Sequence, residues 1–329
     1  MNETIDIAFV FDEKFADLFK VAAYSVAKNT KSDLAIHVVD CGITEGSKDQ
    51  IRKFVSVFEN VSSIEFRVPE RVDVLENYAI PVHFSTAIFY RLAIHKLFPE
   101  LKRIIYLDCD TIAVGDIAEL WEEDLKGCPF GAVEEDGNFF NAKTKLRKMK
   151  EIHLPENKHY YNTGVLLIDT RKFEDNKIFE RVIEFVKNTD LQLSCPEQDA
   201  MSLCLADNEH VSLSPKYNFI PLTLLSEECF KKVKKLTIIH YAGVKPWQTN
   251  KKVVKFAKLC GLRKYHTSML LKYWEYADYV DRKKFSNGNI FHALKFLYKC
   301  IFQPIEQFIS RKCCHFMKSH FGRQKKNDC

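Results

Sequence analysis

The sequence predicts an α/β protein built on a mainly parallel sheet with flanking helices, followed by a basic helical tail. Three observations lead there. Short apolar runs alternate with segments of helical period over the first 120 residues. The runs are apolar nearly throughout, as strands covered on both faces must be. The charge is also uneven: residues 283–329 hold ten Lys/Arg against two acids, or +8, so the net +5 leaves −3 on residues 1–282.

In chain order, IDIAFVF (5–11) reads as a buried strand. A helix follows over 16–30, where Leu18, Val21, Ala22, Ser25 and Val26 recur at helical spacing. LAIHVVDC (34–41) is a second strand and 46–58 a second helix; SIEFRV (63–68) is a third strand, and 85–98 a helix leading into RIIYLDCDT. Further on come PFGAVEE (129–135), YYNTGVLLIDTRKF (160–173), a helix at 177–188, another from PEQDAMSLCLA (196–206), and the apolar strand KLTIIHYAG (235–243). Residues 246–285 are aromatic and basic. In NIFHALKFLYKCIF (289–302), Ile290, Leu294, Leu297 and Ile301 share a helical face opposite Lys295 and Lys299. The predicted organisation is a main α/β domain over 1–250, a connecting segment over 251–288 and a basic amphipathic helix over 289–329. Such a helix suits the surface of an anionic membrane, or packs its apolar face on the body and leaves its basic face to solvent.

Composition excludes several classes. Hydrophobic content of 46% with 28% charged residues fits a folded globular chain. The 11 cysteines are odd in number and lack C-x-x-C spacing, which points to reduced thiols in a cytoplasmic protein. The opening MNETIDIAFV has no basic n-region, so no signal peptide is expected. No apolar run approaches the roughly 18 residues of a membrane span. A basic tail on a mildly acidic body argues against nucleic acid as a partner.

In IIYLDCDT an apolar run enters Asp108 and Asp110, with Cys109 between them. Charge at the end of a core strand is costly unless compensated. On a regular strand these carboxylates would face opposite sides of the sheet; where the chain turns, both can approach one ion. An isolated D-x-D also arises as a strand-end Asx turn with solvated acids. Four apolar residues leading in, and His240 at the end of another apolar strand, favour Mn²⁺, or Mg²⁺, with a phosphate-bearing substrate. Gly243 allows close backbone approach, and Lys245 offers a point charge suited to phosphate. Ligands of parallel α/β sheets gather beyond the C-terminal strand ends, where Asp12, Asp108 and Asp110 fall.

The ordered set FVFDEKFADLFKVAAYSV, YLDCDT, YYNTGVLLID, PEQDAMS and HYAGVKPW resembles glycosyltransferase family 8 over roughly residues 5 to 250. The resemblance is strongest to bacterial lipopolysaccharide α-galactosyl- and α-glucosyltransferases. It implies a GT-A fold, a UDP-hexose donor, Mn²⁺, a glycan or glycolipid acceptor and transfer with retention. It places Asp12 on the uracil, Phe15 stacked on that base, and the Val10 and Phe11 backbone beside it. Asp108, Cys109 and Asp110 then form the donor-binding turn, with Asp108, Asp110 and His240 as metal ligands. Gly243 and Lys245 grip the diphosphate, and Arg91 reaches the sugar and phosphate. Asn162, Glu197, Gln198 and Asp199 line the donor sugar, with Glu197, Gln198 and Arg91 as the catalytic set. Glu135 corresponds to an acid near the acceptor.

Three positions depart from the family pattern. HYAGVKPW is one residue short between Gly243 and Lys245, Glu197 stands for a more usual aspartate, and Lys14 replaces an asparagine near the base. The Glu197 exchange leaves galactose and glucose both open. The motif puts Gln198 where a retaining glycosidase would have its nucleophile, and an amide is a poor one, so front-face attack is expected. Two other readings compete. A sugar nucleotidyltransferase, like a dinucleotide-binding protein, should carry a glycine-rich loop after the first strand, and no glycine precedes Gly42. A non-catalytic sugar-nucleotide-binding membrane adaptor has no need of intact Asp108, Asp110, His240 and Asn162. The expected location is the cytoplasmic face of a membrane.

Overall fold

Strand β1 (Ile5–Phe11) shows why the first half of the chain folds as it does. Its side chains alternate between faces: Phe9 and Phe11 meet Phe19 of the helix Ala16–Asn29 at ring separations of 5.0 and 4.7 Å, whereas Ala8 and Val10 join the core on the other side. Both faces are thus covered. The computed structural model describes residues 4–72, 87–135, 142–221, 235–243 and 245–286. The tail predicted for 289–329 lies outside these residues, as do the first two positions of the helix predicted at 85–98.

β2 (Leu34–Asp40), β3 (Val61–Arg67), β4 (Arg103–Leu107), β6 (Phe130–Glu134), β7 (Tyr161–Asp169) and β8 (His210–Ser212) complete a seven-stranded sheet in the order β3-β2-β1-β4-β7-β6-β8. Only β7 runs against the rest. The C-terminal ends of β1, β4 and β6 therefore meet the N-terminal end of β7, bringing Tyr161–Gly164 to the edge where Asp12 and Asp108 emerge. The apolar run at 235–243 forms only a short strand, β9 (Ile238–His240). It leaves the main sheet and pairs with β5 (Thr111–Ala113) as a two-stranded antiparallel ribbon.

The helix predicted at 85–98 is broken. It runs Ala87–Tyr90 and Ile94–Leu97, with a 3₁₀ turn at Arg91–Ala93 between them. There the Arg91 Nε donates back to the Ile88 carbonyl at 2.9 Å, and the turn tightens around a buried guanidinium.

The chain divides into two compact units, Met1–Gly243 and Val244–Cys329. In the second, Asn250 caps the helix Lys251–Leu259 by accepting from the Lys252 and Val253 amides. That helix buries Val254 and Ala257, and the helical segment Lys264–Ser286, kinked at the extended Asp281, buries Leu270, Tyr273, Trp274 and Ala277. No helix among the described residues is long and apolar enough to cross a membrane.

Candidate active site

β4 ends at Leu107, and the chain turns through Asp108, Cys109 and Asp110 before β5 begins. The Asp108 carbonyl accepts from the Thr111 amide at 3.1 Å and the Thr111 hydroxyl at 2.8 Å, while the Asp108 amide donates to Gly164 O at 2.8 Å. The turn removes the strand alternation that would have separated the carboxylates. The ribbon then supplies the third group. Thr111 pairs with His240, and the Tyr241 amide donates to Asp110 O at 2.9 Å. His240 Nε2 lies 3.1 Å from Asp110 Oδ1 and 3.7 Å from Asp108 Oδ2, and one ligand atom from each of the three lies within 4.8 Å of the others. The first helix braces β5 from behind: Ser25 Oγ accepts from Ala113 N at 2.9 Å and Asn29 Nδ2 donates to Ala113 O at 3.0 Å.

The donor set fits a hard divalent ion. Two carboxylates and one imidazole suit Mn²⁺, with Mg²⁺ next. His240 Nδ1 sits 2.9 Å from Asn218 Oδ1, an oxygen that can accept the Nδ1 proton and so leave Nε2 to an ion held between it and the carboxylates. Gly164 leaves the room: a Cβ there would stand 2.2 Å from His240 Cε1 and 2.8 Å from Asp108 Oδ2.

Arg91 closes the cluster on the sheet side. Its Nη2 lies 3.0 Å from Asp108 Oδ1 and its Nη1 3.5 Å from Glu197 Oε1, and Nη1 donates to Thr163 O at 3.0 Å. The guanidinium also covers the Tyr106 ring at 4.9 Å, and the Tyr106 hydroxyl donates to Asp108 Oδ1. Burial alone would lower the Arg91 pKa; Asp108 and Glu197 outweigh it and raise it, so the cation is permanent. Burial raises the Glu197 pKa, with Arg91 opposing. Glu197 Oε1 accepts from Thr163 Oγ1 at 3.0 Å, while Oε2 is buried without a hydrogen-bond partner. A substrate hydroxyl would satisfy such an orphan.

Asn162 joins the next groups. Its Nδ2 donates to Glu135 Oε1 at 2.9 Å and Gln198 Oε1 at 3.3 Å. Burial raises the Glu135 pKa, and the Asn162 hydrogen bond pulls it back. Glu197 and Gln198 sit in the first turn of the helix Pro196–Cys204, with Pro196 at its start as its fixed φ favours. Asp199, the third member of that acidic turn, is committed elsewhere. It takes Lys148 Nζ at 2.6 Å on Oδ1 and 2.9 Å on Oδ2, the Tyr160 hydroxyl at 2.7 Å and the Cys195 amide at 3.0 Å. Those contacts use its lone pairs, so it clamps the helix start and leaves none for a sugar.

The remaining sequence-predicted residues divide clearly. Asp12 follows β1 and accepts from the Lys14 amide at 3.0 Å, which turns the chain so that Phe15 stands 41% exposed. Val10 is half-buried, the Phe11 ring is core, and the Phe11 carbonyl accepts from the Cys41 amide at 3.1 Å. Cys109 is buried, and burial pushes its thiol well above the ordinary range. Gly243 is exposed, its amide donating to Tyr241 O at 2.9 Å. Lys245 belongs to the second unit, with its Nζ 5.7 Å from the Trp247 ring. Four supporting residues escape the sequence reading: Tyr106, Lys148, Thr163 and Asn218. Tyr106 carries a signal, since it lies two positions before Asp108 on the same strand face. Asn218 carries none.

An open, mainly parallel sheet with a D-x-D turn and a histidine at its C-terminal edge defines a glycosyltransferase of the GT-A class. The chain superposes on the crystal structure of the galactosyltransferase LgtC in complex with donor and acceptor sugar analogs, with a TM-score of 0.66 and 20% identity over 84% of this chain and 96% of that one. The profile of glycosyl transferase family 8 matches residues 6–251, and the chain belongs to that family. It is similar to general stress protein A of Bacillus subtilis, 27% identical over 76% of this chain and 90% of that protein. It is also similar to a lipopolysaccharide 1,2-glucosyltransferase of Escherichia coli K12, 28% identical over 75% of this chain and 73% of that enzyme.

Proposed function

We propose that this protein transfers a hexose, glucose or galactose, from a UDP-sugar to a lipopolysaccharide or other surface-glycan acceptor, with retention and with Mn²⁺ at Asp108, Asp110 and His240. The observation that carries the reading is the convergence of these three ligand atoms within 4.8 Å beside a buried, permanently charged arginine. Likeness to the Escherichia coli lipopolysaccharide glucosyltransferase supports the acceptor class. When bound, the ion supplies positive charge that offsets the departing diphosphate.

The chain's own residues do the rest. Phe15 offers an exposed ring for the base and Asp12 a carboxylate beside it. Arg91 adds fixed positive charge at the same edge, held by Asp108, Glu197 and Thr163 so that it need not reorganise during the reaction. Gln198 Oε1 already accepts from Asn162 Nδ2 and, at 3.4 Å, from the Thr163 amide. An amide oxygen so engaged holds a sugar hydroxyl better than it attacks a carbon, which supports front-face departure and attack. Glu197, one methylene longer than aspartate, presents Oε2 to the donor sugar. The family resemblance assigns Gly243 and Lys245 to the diphosphate and Glu135 to the acceptor.

Titration calorimetry of UDP-glucose and UDP-galactose with Mn²⁺, then with EDTA, tests the reading. Binding should require the ion and vanish in Asp110→Ala, and the tighter sugar identifies the donor. Binding that survives both EDTA and the substitution would refute it.

The same reading places the protein on the inner face of a membrane, where a lipid-linked acceptor resides. Besides the predicted tail, helix Lys251–Leu259 supports this: Phe256 and Leu259 are 60% and 86% exposed among exposed Lys252, Lys255 and Lys258. Phe256→Ser/Leu259→Ser should cut co-sedimentation with phosphatidylglycerol vesicles roughly tenfold, since a buried apolar side chain contributes about 1.5–3 kcal/mol. Unchanged co-sedimentation would exclude this helix from the contact.

A further inference from the structure

We infer that Asn218 is a positioning residue that couples the metal ligand His240, through Asn162, to Glu135 and Gln198 on the sugar side of the site. The inference rests on the metal-dependent reading above. Asn218 is fully buried and Asn162 is 7% exposed. Their amides form a chain in which every link donates in the same direction. His240 Nδ1–H donates to Asn218 Oδ1 at 2.9 Å, Asn218 Nδ2 to Asn162 Oδ1 at 2.8 Å, and Asn162 Nδ2 to Glu135 Oε1 at 2.9 Å and Gln198 Oε1 at 3.3 Å.

Direction matters because aligned hydrogen bonds polarise one another, by roughly 10–30% per bond. A cation on Nε2 makes Nδ1–H a stronger donor. The strengthening passes along the amides and ends on a carboxylate and on the amide oxygen beside the donor sugar. Neither asparagine can turn over. The Gly164 amide donates to Asn162 Oδ1 at 3.0 Å and fixes that oxygen; Asn218 must then turn its NH₂ to Asn162 and its Oδ1 to His240, which puts the proton on Nδ1. The loop under Asn218 is held without its side chain: the Phe219 amide donates to Ile238 O at 3.0 Å, the His240 amide to Phe219 O at 2.9 Å, and the Tyr217 hydroxyl to Glu119 O at 2.9 Å. Substitution at 218 therefore removes the relay and leaves the backbone.

Two substitutions separate relay from packing. Asn218→Ala removes both contacts. Asn218→Asp keeps an acceptor for Nδ1–H but has no donor for Asn162. Calorimetric titration of Mn²⁺ into the full chain with saturating UDP should show Asn218→Ala losing about 10–100-fold in Mn²⁺ affinity, as expected for a metal-bound histidine whose orienting partner is removed, and Asn218→Asp losing only the smaller part that passes through Asn162. The relay itself is read from a double-mutant cycle. Asn162→Ala should lower Mn²⁺ affinity in the wild-type background and do nothing further in Asn218→Asp.

An equal effect of Asn162→Ala in both backgrounds would overturn the coupling, as would Asn218→Asp behaving like Asn218→Ala. A second measurement needs no variant. On adding Mg²⁺ with UDP, the side-chain amide protons of Asn218 and Asn162 should shift together, while those of Asn60, bonded to Ala27 O and Thr30 O, stay in place. Shifts at all three or at none would overturn it. UDP binding by the wild type with no dependence on Mn²⁺ would instead remove the functional reading, and the relay with it.

Discussion

Gly164→Ala is expected to give a folded protein that has lost its divalent ion. The added Cβ would stand 2.2 Å from His240 Cε1, 2.7 Å from His240 Nδ1 and 2.8 Å from Asp108 Oδ2, all nearer than real Cβ contacts come. The atoms in the way belong to two of the proposed metal ligands, and each is held by other bonds: His240 by Asn218, and Asp108 by Arg91 and Tyr106. Relief must come from displacing the imidazole or the carboxylate, and either opens the triad. The main chain keeps its bonds, since Gly164 O still accepts from Asp108 N in the middle of β7. Losing several kcal/mol of charge stabilisation should cost roughly 10³-fold in turnover. Mn²⁺ titration beside a thermal melt checks it, and undiminished Mn²⁺ affinity would exclude Gly164 from the cradle.

Lys148→Met is expected to lower stability by about 3–5 kcal/mol, because it leaves the Asp199 carboxylate buried without its cation. Both members of this pair are fully buried, and Lys148 Nζ also donates to Ser194 Oγ at 2.6 Å. The replacement fills most of the volume, so the loss is electrostatic rather than a cavity. A melting temperature lower by roughly 10 °C should result, with Lys148→Met/Asp199→Asn regaining part of it, because no orphan charge remains and the amide oxygen still accepts from the Tyr160 hydroxyl or the Cys195 amide. A single variant that melts with wild type would remove the clamp. Because Asp199 also caps the turn bearing Glu197 and Gln198, the destabilised variant should bind donor sugar more weakly than it binds UDP.

Much of this architecture is legible in the sequence wherever local pattern and tertiary demand coincide. The first two strand–helix units follow period alone, and the Asp108–Asp110 turn follows from charge at the end of an apolar run. What the sequence hides depends on long-range pairing or on burial that polar composition disguises. The helix Ala142–Glu151, AKTKLRKMKE, reads as a solvated basic surface, yet Lys148 inside it is fully buried. Asn218 sits in PKYNFI, where no spacing marks it, and its role exists only once β9 has brought His240 alongside. The break at Arg91 is equally invisible, because an apolar helical period runs through it. Asp199 resembles its neighbours in the acidic turn and differs only in what lies opposite.

The β5–β9 ribbon sets an order in time. His240 lies 132 positions after Asp108, and their meeting closes a loop of about 130 residues, a contact reached late because distant segments must first be gathered. During synthesis the first 200 residues carry both aspartates, Arg91 and the sugar-side groups, but not the imidazole. A chain emerging from the ribosome thus holds an incomplete ion site beside nearly all its substrate contacts. Only when Ile238–His240 joins the ribbon do the three groups of the proposed ion site come together.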